Sequence, residues 1–139
     1  MNDERAMLDD EQLKMSNQSQ SSNPKPDLRV RTKDFALQII RLYSSLPRTT
    51  EAQVLGKQLL RSGTSVGAHY SEARRARSSS EFVSKIEGGL QELEETVYWL
   101  ELLQEAKLSH PAITHDLLRE AEELISIFVS SAKTAKRSA

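Results

Sequence analysis

The sequence predicts an all-α protein: an antiparallel up-down-up-down four-helix bundle with a disordered N-terminal tail. Four stretches carry apolar residues at the three- and four-residue spacing of an amphipathic helix. Only a few residues connect one stretch to the next, and short connections make successive helices antiparallel neighbours. The length of 139 residues fits one domain, and the low aromatic content of 5% favours helices over a β-sandwich.

Three regions are predicted: a disordered tail at 1–27, the bundle domain at 28–132 and a basic C-terminal tail at 133–139. The first region is rich in Ser, Asn, Gln and Asp, a composition that buries too little apolar surface to offset its ordering entropy. Met7, Leu8 and Leu13 are expected to form a transient helical turn at most, because prolines separate them from the domain.

The first helix is predicted from about Lys33 to Leu46, with Thr32 as its N-cap, after an extended lead-in that contains Leu28 and Val30. Its apolar stripe consists of Phe35, Ile39, Leu42 and Leu46. Pro47 then ends the helix, since proline cannot continue it.

The second helix is predicted to begin with a capping box of Thr50 and Gln53. Its inward positions are Ala52, Leu55, Leu59, Ser62, Val66, His69 or Tyr70, and Ala73. Small residues fill this face between Ser62 and Ala68, and three glycines each cost about 1 kcal/mol relative to alanine. We therefore expect another helix to approach closely here.

Ser78 and Glu81 predict a second capping box, and the third helix is expected from Glu81 to about Lys107. Its predicted stripe is Phe82, Ile86, Leu90 or Gly89, Leu93, Val97, Leu100 and Gln104. The fourth helix is predicted to begin with Pro111 at its first position. Its predicted core residues are Ile113, Leu117, Ala121, Leu124 and Phe128.

Charge is distributed in blocks, although the net charge is only −1. Residues 29–77 carry ten basic and three acidic side chains, and residues 81–123 carry three basic and eleven acidic ones. Surfaces of opposite potential follow from such blocks. The absence of cysteine excludes disulfides and thiolate metal sites and fits a cytoplasmic location. No apolar run approaches the roughly 18 residues of a membrane span, and residues 1–15 lack the apolar stretch of a secretory signal.

Four segments between Phe35 and Leu103 carry a resemblance to known proteins: Arg61-Ser62-Gly63-Thr64-Ser65-Val66-Gly67-Ala68, Glu72-Ala73, Glu81-Phe82 and Glu95-Thr96-Val97-Tyr98-Trp99-Leu100. With them the chain resembles the four helix bundle protein family, like the proteins encoded in intervening sequences of bacterial 23S rRNA genes. It is also similar to accessory variability determinant proteins of diversity-generating retroelements. The resemblance implies a bundle that assembles as a ring-like homopentamer and contacts RNA or a nucleic-acid-handling protein. It implies no established enzymatic activity, and His69 stands where the family usually has Asn.

Five polar residues form the first candidate site. Arg61, Ser65, His69 and Glu72 lie at helical spacing, and Glu95 on the antiparallel third helix is expected near them. We interpret this set as an ion-pair network that fixes helix register. A polar pocket or a subunit contact is the alternative.

A basic corner forms the second candidate site, where Arg74, Arg75 and Arg77 end the second helix and Lys85 lies one turn into the third. Guanidinium groups bind phosphate oxygens bidentately, so the corner predicts contact with RNA or DNA. Ordinary solvated charge at a helix C-terminus is the alternative. Base stacking is not predicted, because aromatic residues are not interleaved with the basic ones.

Tyr98 and Trp99 form the third candidate, either as interface anchors or as residues that pack at the edge of the core. Adjacent residues point about 100° apart on a helix. If Val97 points inward, one of the two aromatic residues is expected at a subunit contact.

No catalytic residue, metal site or cofactor is predicted. His69 and Glu72 reverse the Glu-x-x-His order of di-iron bundles and occur once, so a metal enzyme is only an outside alternative. We predict a non-enzymatic oligomeric module that binds nucleic acid through the basic corner and the C-terminal tail. The alternative is a protein–protein interaction scaffold or accessory subunit whose charged surfaces dock a partner without direct nucleic-acid contact.

Overall fold

The computed structural model describes residues 27–138 as four helices. They are α1 (Leu28–Ser44), α2 (Thr50–Arg74), α3 (Ser79–Glu105) and α4 (Pro111–Ser138). Each helix packs against its neighbours in sequence, and α1 also packs against α4 to close the bundle. The predicted antiparallel up-down-up-down four-helix bundle is confirmed. The predicted tail lies outside the described residues, apart from Asp27.

The start of α1 differs from the prediction. Asp27 is its N-cap, and the Asp27 carboxylate accepts a hydrogen bond from the backbone N–H of Arg29 at 3.0 Å. Thr32, the predicted cap, is buried instead, and its hydroxyl donates to the carbonyl of Leu28 at 2.7 Å. Aspartate caps helices better than threonine. The predicted extended lead-in at Leu28 and Val30 is therefore wrong, because both residues are helical.

The capping box predicted at Thr50 is also wrong, by one residue. Thr49 is the N-cap of α2, and its hydroxyl accepts from the N–H of Ala52 at 3.4 Å. The Gln53 side chain donates to the carbonyl of Pro47 at 2.9 Å and accepts from the Tyr43 hydroxyl at 3.1 Å. Gln53 thus holds the α1–α2 connection rather than the cap. At α3, Ser78 caps as predicted, accepting from the N–H of Glu81 at 3.0 Å.

Glycines allow the close packing that the sequence predicts, both between α1 and α2 and between α3 and α4. A methyl group added at Gly63 would stand 2.8 Å from Ile39 Cγ1 on α1, and one at Gly89 would stand 2.6 Å from Phe128 Cε2 on α4. Real side chains do not tolerate such distances, so both glycines are needed for the present spacing. The small face of α2 serves its contact with α1 as well as its contact with α3.

Several predicted core positions, among them Leu55, Phe82 and Val97, are partly buried at the edge of the core, and one, Ile113, is exposed. On α3, Val97 is half-buried, whereas Thr96 and Leu103 are fully buried. On α4, Ile113 is 45% exposed, whereas Thr114 is buried. In both helices a threonine takes the inward position beside a more apolar residue, which the apolar pattern alone cannot reveal.

The C-terminal basic residues belong to the bundle. α4 continues to Ser138, so residues 133–138, predicted as a tail, are its last turns, and Ala132 directly before them is buried. Lys136 Nζ lies 3.0 Å from Glu87 Oε2 on α3. In the described part of the chain, no helix has the length and apolar character that crossing a membrane requires.

Candidate nucleic-acid interface

The antiparallel topology collects basic residues at one end of the bundle, where α2 and α4 end and α3 begins. The ion pair between Lys136 and Glu87 shows that the last turns of α4 reach the first turns of α3. We call this region the basic end, and it comprises Arg74, Arg75, Arg77, Lys85, Lys133, Lys136 and Arg137. The fold thus places two basic segments that are distant in sequence beside each other.

The predicted basic corner forms part of this end. Arg75, Arg77 and Lys85 line a shallow depression of about 390 Å³ together with Ser71, Glu72 and Glu81. Arg74 is exposed nearby but does not line it. The structure therefore brings three of the four predicted residues together.

The electrostatic state of the corner is mixed. Lys85 Nζ lies 3.3 Å from Glu72 Oε1 and is thereby partly neutralised. Within residues 27–138, Arg74, Arg75 and Arg77 have no carboxylate within 4.0 Å, and all three side chains are exposed. Three guanidinium groups are thus available to an anionic ligand.

The predicted polar cluster is divided in two. Arg61 pairs with Glu95 at 2.8 Å and with Glu92 at 3.3 Å, and Glu92 Oε2 lies 3.8 Å from His69 Nε2. Glu72 belongs to the basic corner instead. The Ser65 hydroxyl donates to the carbonyl of Arg61 at 2.7 Å and makes no hydrogen bond to another member of the cluster.

Glu92 was not among the predicted members of this cluster, although it joins Arg61 to His69. Its position one helical turn before Glu95 is the sequence signal that identifies it. The charge of Glu92 first, and then that of Glu95, raises the pKa of the Arg61 guanidinium. Solvent screens these ion pairs, since half of the Arg61 side chain is exposed.

Beneath the ion pairs lies a buried hydrogen bond between α2 and α3. The hydroxyl groups of Ser62 and Thr96 are 2.9 Å apart, and both residues are fully buried. Thr96 Oγ1 is also 2.7 Å from the carbonyl oxygen of Glu92. A satisfied polar pair in the core favours one helix register over others. This contact supports the structural interpretation of the cluster.

His69 faces Glu92, whereas Glu72 faces Lys85, so the two residues of the metal alternative have different partners. His69 Nδ1 is buried without a hydrogen-bond partner among the described residues, with the ring packed over Gly88. Across residues 27–138, no three His, Cys, Asp or Glu side chains are grouped so as to hold a metal ion.

The two aromatic candidates have different surroundings. Tyr98 is 54% exposed, whereas Trp99 is half-buried against the core, and their rings meet edge to face at 5.1 Å. Trp99 Nε1 is buried without an acceptor in the described part of the chain. Trp99 therefore packs at the edge of the core, whereas Tyr98 is exposed on the surface.

An apolar patch surrounds Tyr98 on the outer face of α2 and α3. Val54 lies two turns before Arg61, and Leu102 lies two turns after Glu95. Because α2 and α3 are antiparallel and Arg61 pairs with Glu95, Val54 and Leu102 lie at the same level and on the same outer face. Val54 is 56% exposed. We call Val54, Tyr98, Trp99 and Leu102 the α2–α3 patch.

The described residues form a small all-helical bundle with a basic end, and exposed Glu94, Glu101 and Glu105 lie on the outer side of α3. Residues 27–130 match the family described as 23S rRNA-intervening sequence protein. A crystal structure of a protein of unknown function from the S23 ribosomal protein family of Bacteroides thetaiotaomicron has 34% sequence identity and a TM-score of 0.72. That match covers 77% of this chain and 99% of the other. The chain therefore belongs to the 23S rRNA-intervening sequence protein family, as its sequence resemblance predicts. No curated protein matches it.

Urea unfolding at two salt concentrations tests whether the exposed ion pairs contribute less to stability than the buried hydroxyl pair. Arg61→Met is expected to lower the free energy of unfolding by less than about 1 kcal/mol at low salt, because solvent screens its pairs. This loss should vanish near 1 M NaCl, where the Debye length is about 3 Å. Thr96→Val, nearly equal in shape, is expected to cost about 1 kcal/mol at both salt concentrations. A large, salt-independent loss for Arg61→Met would favour a buried subunit contact instead.

Proposed function

We propose that the protein is a non-enzymatic oligomeric bundle that binds the phosphates of RNA or DNA through its basic end and works in the cytoplasm. Arg74, Arg75, Arg77 and Lys85 are the proposed contacts. The observation that carries this proposal is the exposure of three arginines at the α2–α3 connection, none of which has a carboxylate partner among residues 27–138. Guanidinium groups bind phosphates bidentately, and binding gains free energy by counterion release.

The position of the last turns of α4 also supports the proposal that the basic end binds phosphates. Lys133 and Arg137 are exposed at the end where the three arginines lie, so the positive region is wider than the corner alone. The outer side of α3 carries exposed Glu94, Glu101 and Glu105, which repel a polyanion. We infer that nucleic acid approaches from one end and is bound by its backbone rather than read by base sequence.

The direct test measures binding of the full chain to a structured RNA and to a duplex DNA over a salt series. Arg74→Glu/Arg75→Glu/Arg77→Glu is compared with Arg48→Glu/Lys57→Glu/Lys107→Glu, which changes net charge equally through exposed residues toward the opposite end. Each lost phosphate contact should reduce the salt slope by about 0.7 to 0.9. Three lost contacts correspond to an affinity loss of about 100-fold or more near 0.1 M salt.

The control variant is expected to bind within a few-fold of wild type. Equal losses in both variants would mean that net charge, not the basic end, governs binding. No binding by wild type at low salt would reject the proposal for this protein. Circular dichroism must show that both variants keep their helicity.

The α2–α3 patch supports a further part of the proposal, which is self-association as a homopentamer. Tyr98 and Val54 are more than half exposed on this patch. A second copy can cover both residues. In a ring the basic end repeats around the rim, and avidity multiplies a weak phosphate contact. The alternative occupant is a nucleic-acid-handling protein, in which case the bundle is an accessory scaffold.

Native mass spectrometry tests the assembly. The 15.7 kDa chain is expected to appear at five times its mass. Tyr98→Glu should dissociate the assembly with helicity unchanged, because it introduces a charge into the apolar contact. Leu37→Glu, at a 40% exposed position on α1, is the matched control and should leave the mass unchanged. A monomeric wild-type protein would contradict the proposal and favour the scaffold alternative.

A further inference from the structure

A groove of about 730 Å³ lies beside the last turns of α4, and it exists because α1 begins late. Arg31 on α1 pairs with Glu120 and Glu123 on α4, which fixes the level of the two helices. Leu28, the first residue of α1, therefore lies near residues 124–127 of α4. From there α4 continues to Ser138, about three turns or roughly 16 Å, with no part of α1 beside it. We call this space the α1–α4 groove.

The groove has an apolar floor and a basic rim. Leu28, Tyr70, Phe82 and Ile127 line it, and serine hydroxyls of α4 border it. Lys133 and Arg137 follow the lining residues Ser126 and Ser130 by seven positions each, or two helical turns. Each basic residue therefore shares its side of α4 with one of these serines. The groove suits a ligand that combines apolar side chains with negative charge.

The chain itself carries such a segment directly before the groove. Residues 1–15 contain Met7, Leu8 and Leu13 and have five acidic against two basic side chains. Residues 16–27 connect this segment to Leu28, the first residue of α1, which lines the groove. The 11 residues between Met15 and Asp27 can span up to about 40 Å, more than the length of the groove.

We propose that residues 1–15 dock in the α1–α4 groove and shield the basic end from nucleic acid. The apolar residues fill the floor, and Asp9, Asp10 and Glu11 face the basic rim. Tethering makes weak docking sufficient: at an effective concentration of about 1 mM, an intrinsic Kd of about 0.1 mM keeps the segment docked nine-tenths of the time. The shape and charge of the groove and the composition of the segment are sufficient to argue for docking. Shielding also rests on the proposed function.

Thiol labelling measures the docking without nucleic acid. The chain has no cysteine, so Ser131→Cys places a single thiol in the groove and Ser44→Cys places one at the far end of α1. Both are made in the full chain. A segment docked nine-tenths of the time slows maleimide labelling in the groove about tenfold. The rate at position 44 should not depend on the segment.

Three segment variants are then combined with each thiol: Met7→Ser/Leu8→Ser/Leu13→Ser, Asp9→Asn/Asp10→Asn/Glu11→Gln, and, as the control, Ser16→Ala/Ser19→Ala/Ser22→Ala. The first two are expected to raise the groove labelling rate about tenfold, and the control should leave it unchanged. High salt should also raise the rate in the unaltered segment. Equal groove rates in all segment variants would overturn the docking.

Nucleic-acid affinity distinguishes the two proposals. If the first two variants label faster and also bind structured RNA or duplex DNA up to tenfold more tightly, both docking and shielding hold. If they label faster but affinity is unchanged, docking holds and shielding is overturned. If they label faster while no variant binds nucleic acid, docking holds and the proposed function itself fails.

Discussion

Close contact of α2 with the helices on both of its sides is the constraint on which the rest of the bundle depends. Gly63 admits Ile39 of α1, and Ser62 meets Thr96 of α3 through a buried hydrogen bond. Together these contacts fix how far each helix slides along its neighbour, since a packed core tolerates few alternative registers. The register sets which charged residues meet at the bundle ends. The basic end is therefore a consequence of core packing.

The sequence predicts the helices well because each has a strong apolar period, and tertiary packing confirms that period. It predicts helix starts less well, because Asp27, Thr32, Thr49 and Thr50 can all cap a helix and only the backbone geometry decides among them. The sequence predicts a tail for the basic residues after Ala132, but these residues up to Ser138 are helical. Alanine and lysine favour helix, and burial of Ala132 extends α4 through them.

The candidate sites were predicted less completely than the fold. Helical spacing correctly places Arg61 opposite Glu95, but it does not show that Glu72 turns toward Lys85. A side chain with three or four rotatable bonds can reach several charged partners. The sequence alone does not show which of them it contacts. The α1–α4 groove was not predicted at all, because it arises from unequal helix lengths that only the assembled bundle reveals.

Segregation of charge by helix direction is the physical basis of the functional account. Antiparallel helices place the basic C-terminal turns of α2 and α4 at the same end, where positive side chains also complement the helix dipoles. Acidic residues remain along the outer side of α3. A polyanion therefore meets attraction at one end and repulsion along one flank, and in the proposed function this orients binding without any base-specific contact.

Photo-crosslinking of a structured RNA to the full-length protein, with mass spectrometry of the attached peptides, tests the central claim most directly. The account predicts crosslinks on peptides from residues 71–85 and 131–137, which form the basic end. Those crosslinks should weaken as salt rises, since phosphate contacts release counterions. Crosslinks concentrated on residues 48–57 and 98–110, toward the opposite end, would contradict the account.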